Sequence, residues 1–409
     1  MSILAHSVNE VGSTYHNLSC IPRDGTCGTE QIRVALVTDF PHNPDDPCGG
    51  VQSVSVHLVR GLSKLDGLDL HVVTEDAECS TPKESVWGKV CIHRLPRQGR
   101  TTLTNAIGLG RRQMGRYLKK LAPDVIHAHD VYGLMVKGLS IPRVFSIHGQ
   151  IYKDTSVSGG WFPRLRSWLW KRIELSGWAD QPHVISISPY VREQLTGIVT
   201  GTIHNIDNPI GESSFNLDRR EEPGRIFCAA AICSRKNTLT LVQGFARLLK
   251  TGVNAELRLS GGGDKEYLSQ VSIFIHEHGL EKSVKLLGRV SYKAIQDEMA
   301  RAAVFILVSL EENSPMGIEE AMAAGVPVVT SNRCGMPYMV RDGESGFLVN
   351  PTNPEDIARR LGQLLKNDEL RRSMGAKGRE IALDRFHPAK VAARTREVYY
   401  RAIHDFQQK

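Results

Sequence analysis

The chain has 409 residues, of which 41% are hydrophobic and 23% are charged, and it carries a net charge of +7 with a pI near 8.9. This length excludes one small module and predicts roughly two to three domains with cores of their own. The composition is that of a globular protein, and no apolar run is long enough to span a bilayer.

Residues 1–31 are predicted to be an N-terminal extension that lies outside the first domain. They lack the basic segment and the continuous apolar stretch of a secretory signal. The eight cysteines of the chain contain no C-x-x-C pair, which predicts neither a zinc site nor a disulfide framework. We therefore expect reduced thiols and a cytoplasmic protein.

Short β-branched runs alternate with amphipathic stretches from residue 32 onwards. The run IRVALVTDF, the loop PHNPDDPCGG and the stretch VQSVSVHLVRGLSKL predict a strand, a loop and a helix. Further strands are predicted at LDLHVVTE, DVIHAHD, PRVFSIHG and HVISISP. This alternation predicts a parallel sheet with helices on both faces over residues 32–212.

A polar break at residues 211–225 separates this half from a second alternating half. Strands are predicted at IFCAAAI, AELRLSGGG, SVKLLG, AAVFILVSL, GVPVVTS and GFLVN, which gives a second doubly wound domain over residues 225–386. Residues 387–409 predict a long helix that packs back on the first domain. The expected fold is α/β, with two Rossmann-like domains facing each other across a cleft and ligands at the carboxyl ends of the strands.

The stretch FILVSLEENSPMGIEEAMAAGVPVVTS places acidic residues around a strand-to-helix turn. Pro315 suits the first turn of the predicted helix, whose unpaired amides, including those of Met316 and Gly317, form an anion site. Carboxylates beside an anion site accept hydrogen bonds from hydroxyl groups instead. The arrangement predicts a sugar nucleotide, with Glu312 at the transferred sugar, the amides at the diphosphate and Glu320 at the ribose. The structural alternative is that acids here favour the helix dipole, and we assign that role to Glu319.

These residues resemble retaining glycosyltransferase family 4, the group 1 glycosyltransferases, which have the GT-B fold. Glu312 and Glu320 occupy the positions of the Glu-x7-Glu signature of that family. The similarity extends over residues 32–409, through PCGGVQSVSVHLVRGL, DVIHAHD, FSIHG, VISISPYVREQL, RKNTLTLVQGFARL and LSGGGDKEYL.

The resemblance implies further site residues. His148 matches the active-site histidine that contacts the donor sugar, and Lys236 matches a lysine that clamps the leaving diphosphate. The remaining matches are donor-binding positions: Gly49 and Gly50 after the first strand, Gly262 in the glycine turn, and Arg289 with Val290 at the nucleotide base. Outside this context, a Gly-Gly pair is more often a plain turn and a lone histidine at a strand end is more often structural.

One position departs from the family pattern. An arginine that clamps the diphosphate is common at the position of Ala231. Arg235 or Arg289 is expected to compensate, because a guanidinium binds phosphate oxygens bidentately. The alternative for Arg235 is an exposed loop charge.

The resemblance implies a retaining transfer of a sugar from a nucleoside-diphosphate sugar to a hydroxyl of a glycan, a glycolipid or a small molecule, in polysaccharide or glycoconjugate biosynthesis. It implies no metal and no further cofactor, and His127 with His129 falls short of the three protein ligands that zinc needs. Two alternatives stay open: a non-catalytic sugar-nucleotide-binding protein, and a sugar-nucleotide epimerase of the same fold.

Basic residues are concentrated in the first half of the chain. Residues 85–123 contain no acidic residue, and WFPRLRSWLWKRI places Trp161, Phe162, Trp168 and Trp170 among arginines and lysines. No nucleic-acid-binding signature accompanies them, so nucleic acid is not an expected partner. We predict an anionic membrane surface as a partner, with the enzyme docked at the inner face. The alternative is that the tryptophans fill the core and the basic side chains face water.

Overall fold

The computed structural model describes residues 31–149 and 163–408. Most of the predicted N-terminal extension, and Trp161 with Phe162, lie outside the described residues. Within them the chain forms two sheets with helices on both faces, as the alternating sequence predicts, so the α/β expectation is confirmed.

The first sheet has the strand order β3-β4-β2-β1-β5-β6-β7-β8 within the described residues. Its strands are β1 Ile32–Val37, β2 Leu68–Asp76, β3 Lys83–Trp87, β4 Val90–Pro96, β5 Val125–His129, β6 Arg143–Ile147, β7 His183–Ser186 and β8 Thr202–Asn205. Neighbouring strands pair in parallel, except that β3 pairs antiparallel with β4 at the sheet edge. The helices of this half are α1 Gly50–Leu62, α2 Thr102–Ile107, α3 Leu109–Leu121, α4 Tyr132–Met135, α5 Pro163–Ala179 and α6 Pro189–Leu195.

The second sheet has the order β11-β10-β9-β12-β13-β14 and is parallel throughout the described residues. Its strands are β9 Arg225–Ala229, β10 Glu256–Ser260, β11 Val284–Gly288, β12 Val304–Leu307, β13 Val328–Ser331 and β14 Gly346–Val349. The helices that follow the first half are α7 Glu212–Phe215, α8 Thr238–Lys250, α9 Lys265–Glu277, α10 Tyr292–Arg301, α11 Met316–Ala323, α12 Pro354–Leu365, α13 Asp368–Arg385 and α14 Pro388–Gln407.

Helix α14 returns to the first half of the molecule. Val391, Ala392 and Tyr399 belong to the same buried cluster as the strand residues Val34 and Val72. The phenol of Tyr399 is hydrogen-bonded to Nδ1 of His127 at 2.8 Å. The last helix therefore ties the end of the chain to the first sheet.

The predicted basic and aromatic surface is only partly a surface. Trp168 is 53% exposed, whereas Trp170 is 7% exposed and belongs to the core of the first half. Arg94 is buried and donates to the carbonyls of Phe40 and Pro41. Arg94 is therefore not part of an exposed basic surface, because its side chain is held by the loop after β1.

No described helix combines the length and the apolar character needed to cross a bilayer.

Candidate functional site

A cavity of about 700 Å³ lies between the two sheets, at the carboxyl ends of their strands. Every predicted site residue lines it, namely Gly49, Gly50, His148, Arg235, Lys236, Gly262, Arg289, Val290, Glu312, Pro315, Met316, Gly317 and Glu320. The sequence therefore predicted which residues come together, whereas their individual roles stay predictions.

The turn that carries Glu312 is fixed by the loop after β9. The Leu310 amide donates to the carbonyl of Arg235 at 2.8 Å, and the side-chain amide of Asn237 donates to the carbonyl of Val308. Asn237 adopts a left-handed backbone with φ of 59°, which asparagine tolerates well. These contacts place the Arg235–Lys236 dipeptide directly beside Glu312.

Glu312 is held by two cations at the cavity wall. Its carboxylate lies 2.6 Å from Nζ of Lys236 and 2.5 Å from Nη1 of Arg235. The side chains of Glu312 and Lys236 are only 11% and 15% exposed, so this pairing is weakly screened by water. A phosphate group that entered here would compete with Glu312 for the same two cations.

Helix α11 begins at the cavity with Pro315 as its N-cap residue. No side chain caps this end through a hydrogen bond, so the first amides are available for an anion. Gly317 follows in the first turn, where a Cβ atom would lie 3.0 Å from the ring of Phe305. A glycine therefore lets the helix start close to β12 and keeps its amides accessible.

Glu320 lies one turn further along α11 at the cavity wall. Burial raises its pKa to about 7, and the neighbouring Tyr292 hydroxyl partly offsets that shift. A carboxyl group with this pKa loses its proton near neutral pH. In its ionised form it can accept hydrogen bonds from two hydroxyl groups of a ligand.

The interpretation of Glu319 as an acid that favours the helix dipole is wrong. Its side chain is fully buried, and burial raises its pKa well above the usual value, which disfavours the charged form. Oε1 accepts a hydrogen bond of 2.6 Å from the hydroxyl of Ser314. A buried carboxyl group whose charged form is disfavoured is poorly suited to complement the helix dipole, but its hydrogen bond to Ser314 does fix the turn beside Pro315.

His148 is held on several sides at the end of β6. Its backbone amide donates to Oδ1 of Asp130 at 2.7 Å, and its carbonyl accepts from Nδ2 of Asn313 at 2.9 Å. The ring Nδ1 donates to Oδ1 of Asn208 at 3.1 Å. Burial lowers the pKa of His148, so the ring is neutral at pH 7.

The glycines of the two facing loops serve different purposes. Gly49 has a φ of 93° and precedes α1, and a Cβ atom on Gly49 or Gly50 would meet no other atom within 4 Å. The backbone of this loop is therefore open to the cavity. At Gly262, a Cβ atom would lie 2.7 Å from Nε of Arg289, so glycine lets the arginine side chain cross this loop.

The departure at Ala231 is visible in the cavity wall. Ala231 is exposed and lines the cavity, but its methyl group offers no charge to a phosphate. Arg235 lies in the same loop and already contacts the carboxylate of Glu312, whereas Arg289 lies over Gly262. Of these two arginines, Arg235 is therefore the one that, like Lys236, contacts the carboxylate of Glu312.

A potential metal-binding group lies away from this cavity. His42, Asp76 and Glu78 each bring one ligand atom within 4.8 Å of the others, and none of them lines the cavity. His127 is satisfied by Tyr399 and by Ser146, each at 2.8 Å, which accounts for this buried histidine without a metal.

Sequence reasoning missed four residues that build the site: Asp130, Asn208, Tyr292 and Asn313. Asp130 is the last residue of the quoted stretch DVIHAHD, and its φ of 45° marks a turn that holds the backbone of His148. Asn313 follows Glu312, so a search for polar residues beside the signature acids would have found it. Asn208 and Tyr292 lie in a loop and at a helix start without a distinctive pattern.

Comparison with known proteins agrees with this geometry. The profile of the family described as Glycosyl transferases group 1 matches residues 210–381, and that of Glycosyltransferase Family 4 matches residues 48–211. An uncharacterized glycosyltransferase of Methanocaldococcus jannaschii is 23% identical over 85% of this chain and 94% of that protein. The MMP alpha-(1->4)-mannosyltransferase of Mycolicibacterium hassiacum is 28% identical over 68% of this chain and 71% of that protein.

The fold also has solved counterparts. The structure of HepE from Anabaena in complex with UDP-glucose matches with a TM-score of 0.68 at 16% identity, over 91% of this chain and 100% of that chain. At this identity the likeness shows the fold alone. The two family profiles together extend from residue 48 to residue 381, so they include both sheets and the cavity between them. The chain therefore belongs to the group 1 glycosyltransferases of family 4, and its fold is GT-B.

Proposed function

We propose that this glycosyltransferase moves a hexosyl group from a nucleoside-diphosphate sugar to a hydroxyl acceptor with retention of configuration. The observation that carries the proposal is the cluster of Glu312, Lys236 and Arg235 beside the start of α11. Cations and helix amides suit a diphosphate, and the acids Glu312 and Glu320 suit the hydroxyl groups at either end of it. The mannosyltransferase relative and the UDP-glucose complex of HepE support a hexose and a nucleotide sugar.

In the proposed reaction the bond between the anomeric carbon and the diphosphate oxygen breaks, and its electron pair leaves with the diphosphate. Lys236, Arg235 and the amides of Met316 and Gly317 stabilise the negative charge that develops there. The acceptor hydroxyl attacks from the face that the diphosphate leaves, and its proton passes to the departing phosphate oxygen. Glu312 orients the sugar by accepting hydrogen bonds from its hydroxyl groups, and the ring of His148 packs against the sugar from the cavity wall.

The positive charge in this proposal comes from side chains and amides, so we propose that transfer needs neither a metal nor a further cofactor. Activity is expected to persist in excess EDTA. Complete loss of activity in EDTA, restored by one divalent ion, would contradict this part of the proposal.

We further propose that the acceptor is a glycan or a lipid-linked glycan at an anionic membrane surface, in polysaccharide or glycoconjugate biosynthesis. Helices α3 and α5 both pack on α4, which places them on one side of the first half. Leu165 and Trp168 of α5 are 61% and 53% exposed, next to exposed Arg164, Arg166, Lys171 and Arg172. Apolar side chains flanked by cations suit an anionic headgroup region.

The test starts with a thermal-shift screen of nucleotide sugars, because a donor at 100 times its dissociation constant stabilises the protein by about 2.7 kcal/mol. Each stabilising donor is then incubated with oligosaccharide and lipid-linked acceptors, and free nucleoside diphosphate and glycosylated product are measured. We expect a product with the anomeric configuration of the donor. An altered nucleotide sugar without transfer would indicate an epimerase, and binding without any turnover would indicate a non-catalytic protein.

A further inference from the structure

A second, much smaller cavity lies behind His148. Its volume is about 20 Å³, and its wall is formed by apolar side chains together with the polar residues His127, His129, Ser146, His148, Asp207, Asn208 and Thr395. A volume of roughly 10 to 15 Å³ is enough for one water molecule when polar partners are present. This cavity has room for one water and not for a larger ligand.

Two buried nitrogen atoms at this cavity lack a partner. Nε2 of His129 and Nε2 of His148 are both buried, and neither has a hydrogen-bond partner within residues 31–149 and 163–408. The side chain of His129 is 1% exposed, and the centres of the two rings are 4.7 Å apart. Two unpaired ring nitrogens at this depth are costly unless something between them forms hydrogen bonds.

The neighbouring hydrogen bonds favour one tautomer of His129. The Ser55 hydroxyl donates to the carbonyl of Val51 at 2.8 Å and lies 2.7 Å from Oγ1 of Thr38, which in turn lies 3.2 Å from Nδ1 of His129. All three contacts are satisfied when Thr38 donates to Ser55 and His129 donates through Nδ1. Nε2 of His129 then has a free lone pair and acts as an acceptor.

The same reasoning applies to His148. Its Nδ1 faces the carboxamide oxygen of Asn208 at 3.1 Å, so Nδ1 carries the hydrogen and Nε2 is an acceptor. Two acceptors cannot bond to each other. A water molecule, which has two O–H donors, is the smallest species that satisfies both.

We propose that the small cavity holds one water molecule that donates to Nε2 of His129 and to Nε2 of His148, and that His129 is thereby a positioning residue for His148. The Thr395 hydroxyl in the cavity wall can donate to the oxygen of this water. The water and Asn208 together hold both ring nitrogens of His148, which fixes the orientation of the ring next to the large cavity. This inference rests on the proposed function for the role of His148 in transfer, but the water and the tautomers do not depend on that role.

The first test uses the full-length wild-type protein without any substrate. A crystal structure that resolves water molecules should show an ordered water in hydrogen-bond contact with both Nε2 atoms. Proton–nitrogen correlation spectra of the ¹⁵N-histidine-labelled protein should show both rings protonated on Nδ1 and not on Nε2. A cavity without an ordered water, or a proton on either Nε2, overturns the inference whether or not the protein transfers a sugar.

The second test compares two variants of His129. The amide of His129→Asn can still donate to Thr38 but does not reach the water, whereas His129→Gln keeps an acceptor near the position of Nε2. We expect His129→Asn to lower kcat by about tenfold, which corresponds to loss of one buried hydrogen bond, and to leave the KM for the donor within about twofold. His129→Gln should restore kcat to within about twofold of the wild type.

Equal losses in both variants, in step with equal losses of Tm, would show that His129 is merely structural and would overturn the positioning role. If the wild type transfers no sugar from any donor, the proposed function fails, and the crystallographic and spectroscopic results alone decide the inference about the water.

Discussion

The side-chain amide of Asn313 donates a hydrogen bond of 2.9 Å to the backbone carbonyl of His148 across the cavity. This contact joins the turn that carries Glu312 to the end of β6 on the facing half. A second contact between the halves, from the Tyr338 hydroxyl to Glu193 at 2.8 Å, lies on the exposed surface. The two halves are thus connected both inside the site and outside it.

Replacing Asn313 with Ala should lower kcat/KM by about five- to tenfold, because loss of one partly buried hydrogen bond costs about 1 kcal/mol. Tyr338→Phe is the matched control, since it removes a hydrogen bond between the same halves away from the cavity, and an exposed hydrogen bond contributes little. Steady-state kinetics and Tm measure both variants. Equal kinetic effects of the two changes would show that the position of the contact is irrelevant.

The parts of the fold with strong periodicity could be predicted from the sequence. The predicted strand AAVFILVSL is observed as β12 Val304–Leu307, and the helix predicted to begin near Pro315 is observed as α11 Met316–Ala323. The strand prediction extends too far because Val308 and Ser309 are fully buried without belonging to the strand. The hydrophobic pattern follows burial, and burial continues beyond the last residue that pairs with a neighbouring strand.

Other features depend on contacts between distant residues, which periodicity does not encode. The antiparallel strands β3 and β4 were missed, although Gly88 with φ of 61° between Trp87 and Val90 is a turn signal. Glu319 was misassigned because its neighbour Glu320 and the helix position suggest an accessible acid. Its burial arises from packing of α11 within the second half, which only the structure shows.

Replacing Glu312 with Gln should reduce kcat by about a hundredfold or more, if the carboxylate orients the sugar between two cations in a poorly hydrated site. The change removes the charge that pairs with Lys236 and Arg235, but a nucleotide sugar supplies phosphate in its place, so binding of the donor should weaken much less. Kinetics and calorimetry with the same donor separate the two effects.

The control for this substitution is Glu355→Gln, which breaks the exposed ion pair with Arg247 in the same half. An exposed ion pair contributes little to stability, so this variant should behave like the wild type. Near-normal turnover of Glu312→Gln would refute the orienting role of Glu312.

Affinity for the donor should increase with pH because burial raises the pKa of Glu320 to about 7. If the ionised carboxylate accepts the ribose hydroxyl groups, the apparent dissociation constant should be about tenfold higher near pH 6 than near pH 8. Stability should change in the opposite direction: the folded protein holds a proton that the unfolded chain releases, so the free energy of unfolding falls as pH rises from 4.5 toward 7.

Calorimetric titration across this pH range tests the prediction for affinity. Glu320→Gln should bind more weakly and lose the pH dependence, whereas the control Glu319→Gln should keep it, because Glu319 does not line the cavity. A pH dependence that survives in Glu320→Gln would assign it to another group.

Arg235 should supply the positive charge at the diphosphate that, in the family pattern, an arginine at the position of Ala231 supplies. Arg235→Ala is expected to lower kcat by roughly ten- to a hundredfold, whereas Arg289→Ala should affect it less, since a charge-assisted hydrogen bond contributes about 1.5 to 3 kcal/mol. In the double variant Ala231→Arg with Arg235→Ala, the new guanidinium extends from an exposed position in the cavity wall and should recover part of the loss. A larger loss in Arg289→Ala than in Arg235→Ala would assign the compensation to Arg289.

The exposed faces of α3 and α5 should bind anionic vesicles and not neutral ones. Each Lys or Arg near an anionic surface favours binding by about 1 kcal/mol, and this term weakens with salt. Arg112 and Arg116 are exposed on α3, whereas Arg111 is half-buried and donates to the carbonyl of Lys137. Charge reversal is therefore informative at Arg112→Glu and Arg116→Glu.

The matched control is reversal of two exposed lysines in the second half, Lys265→Glu and Lys282→Glu. Vesicle co-sedimentation at low and high salt should show lost binding in the α3 variant only, and Trp168→Ala should weaken binding at both salt concentrations. Equal losses in the α3 variant and the lysine control would mean that overall charge and not this face attracts the protein, and absence of binding at low salt would favour an acceptor that is free in solution.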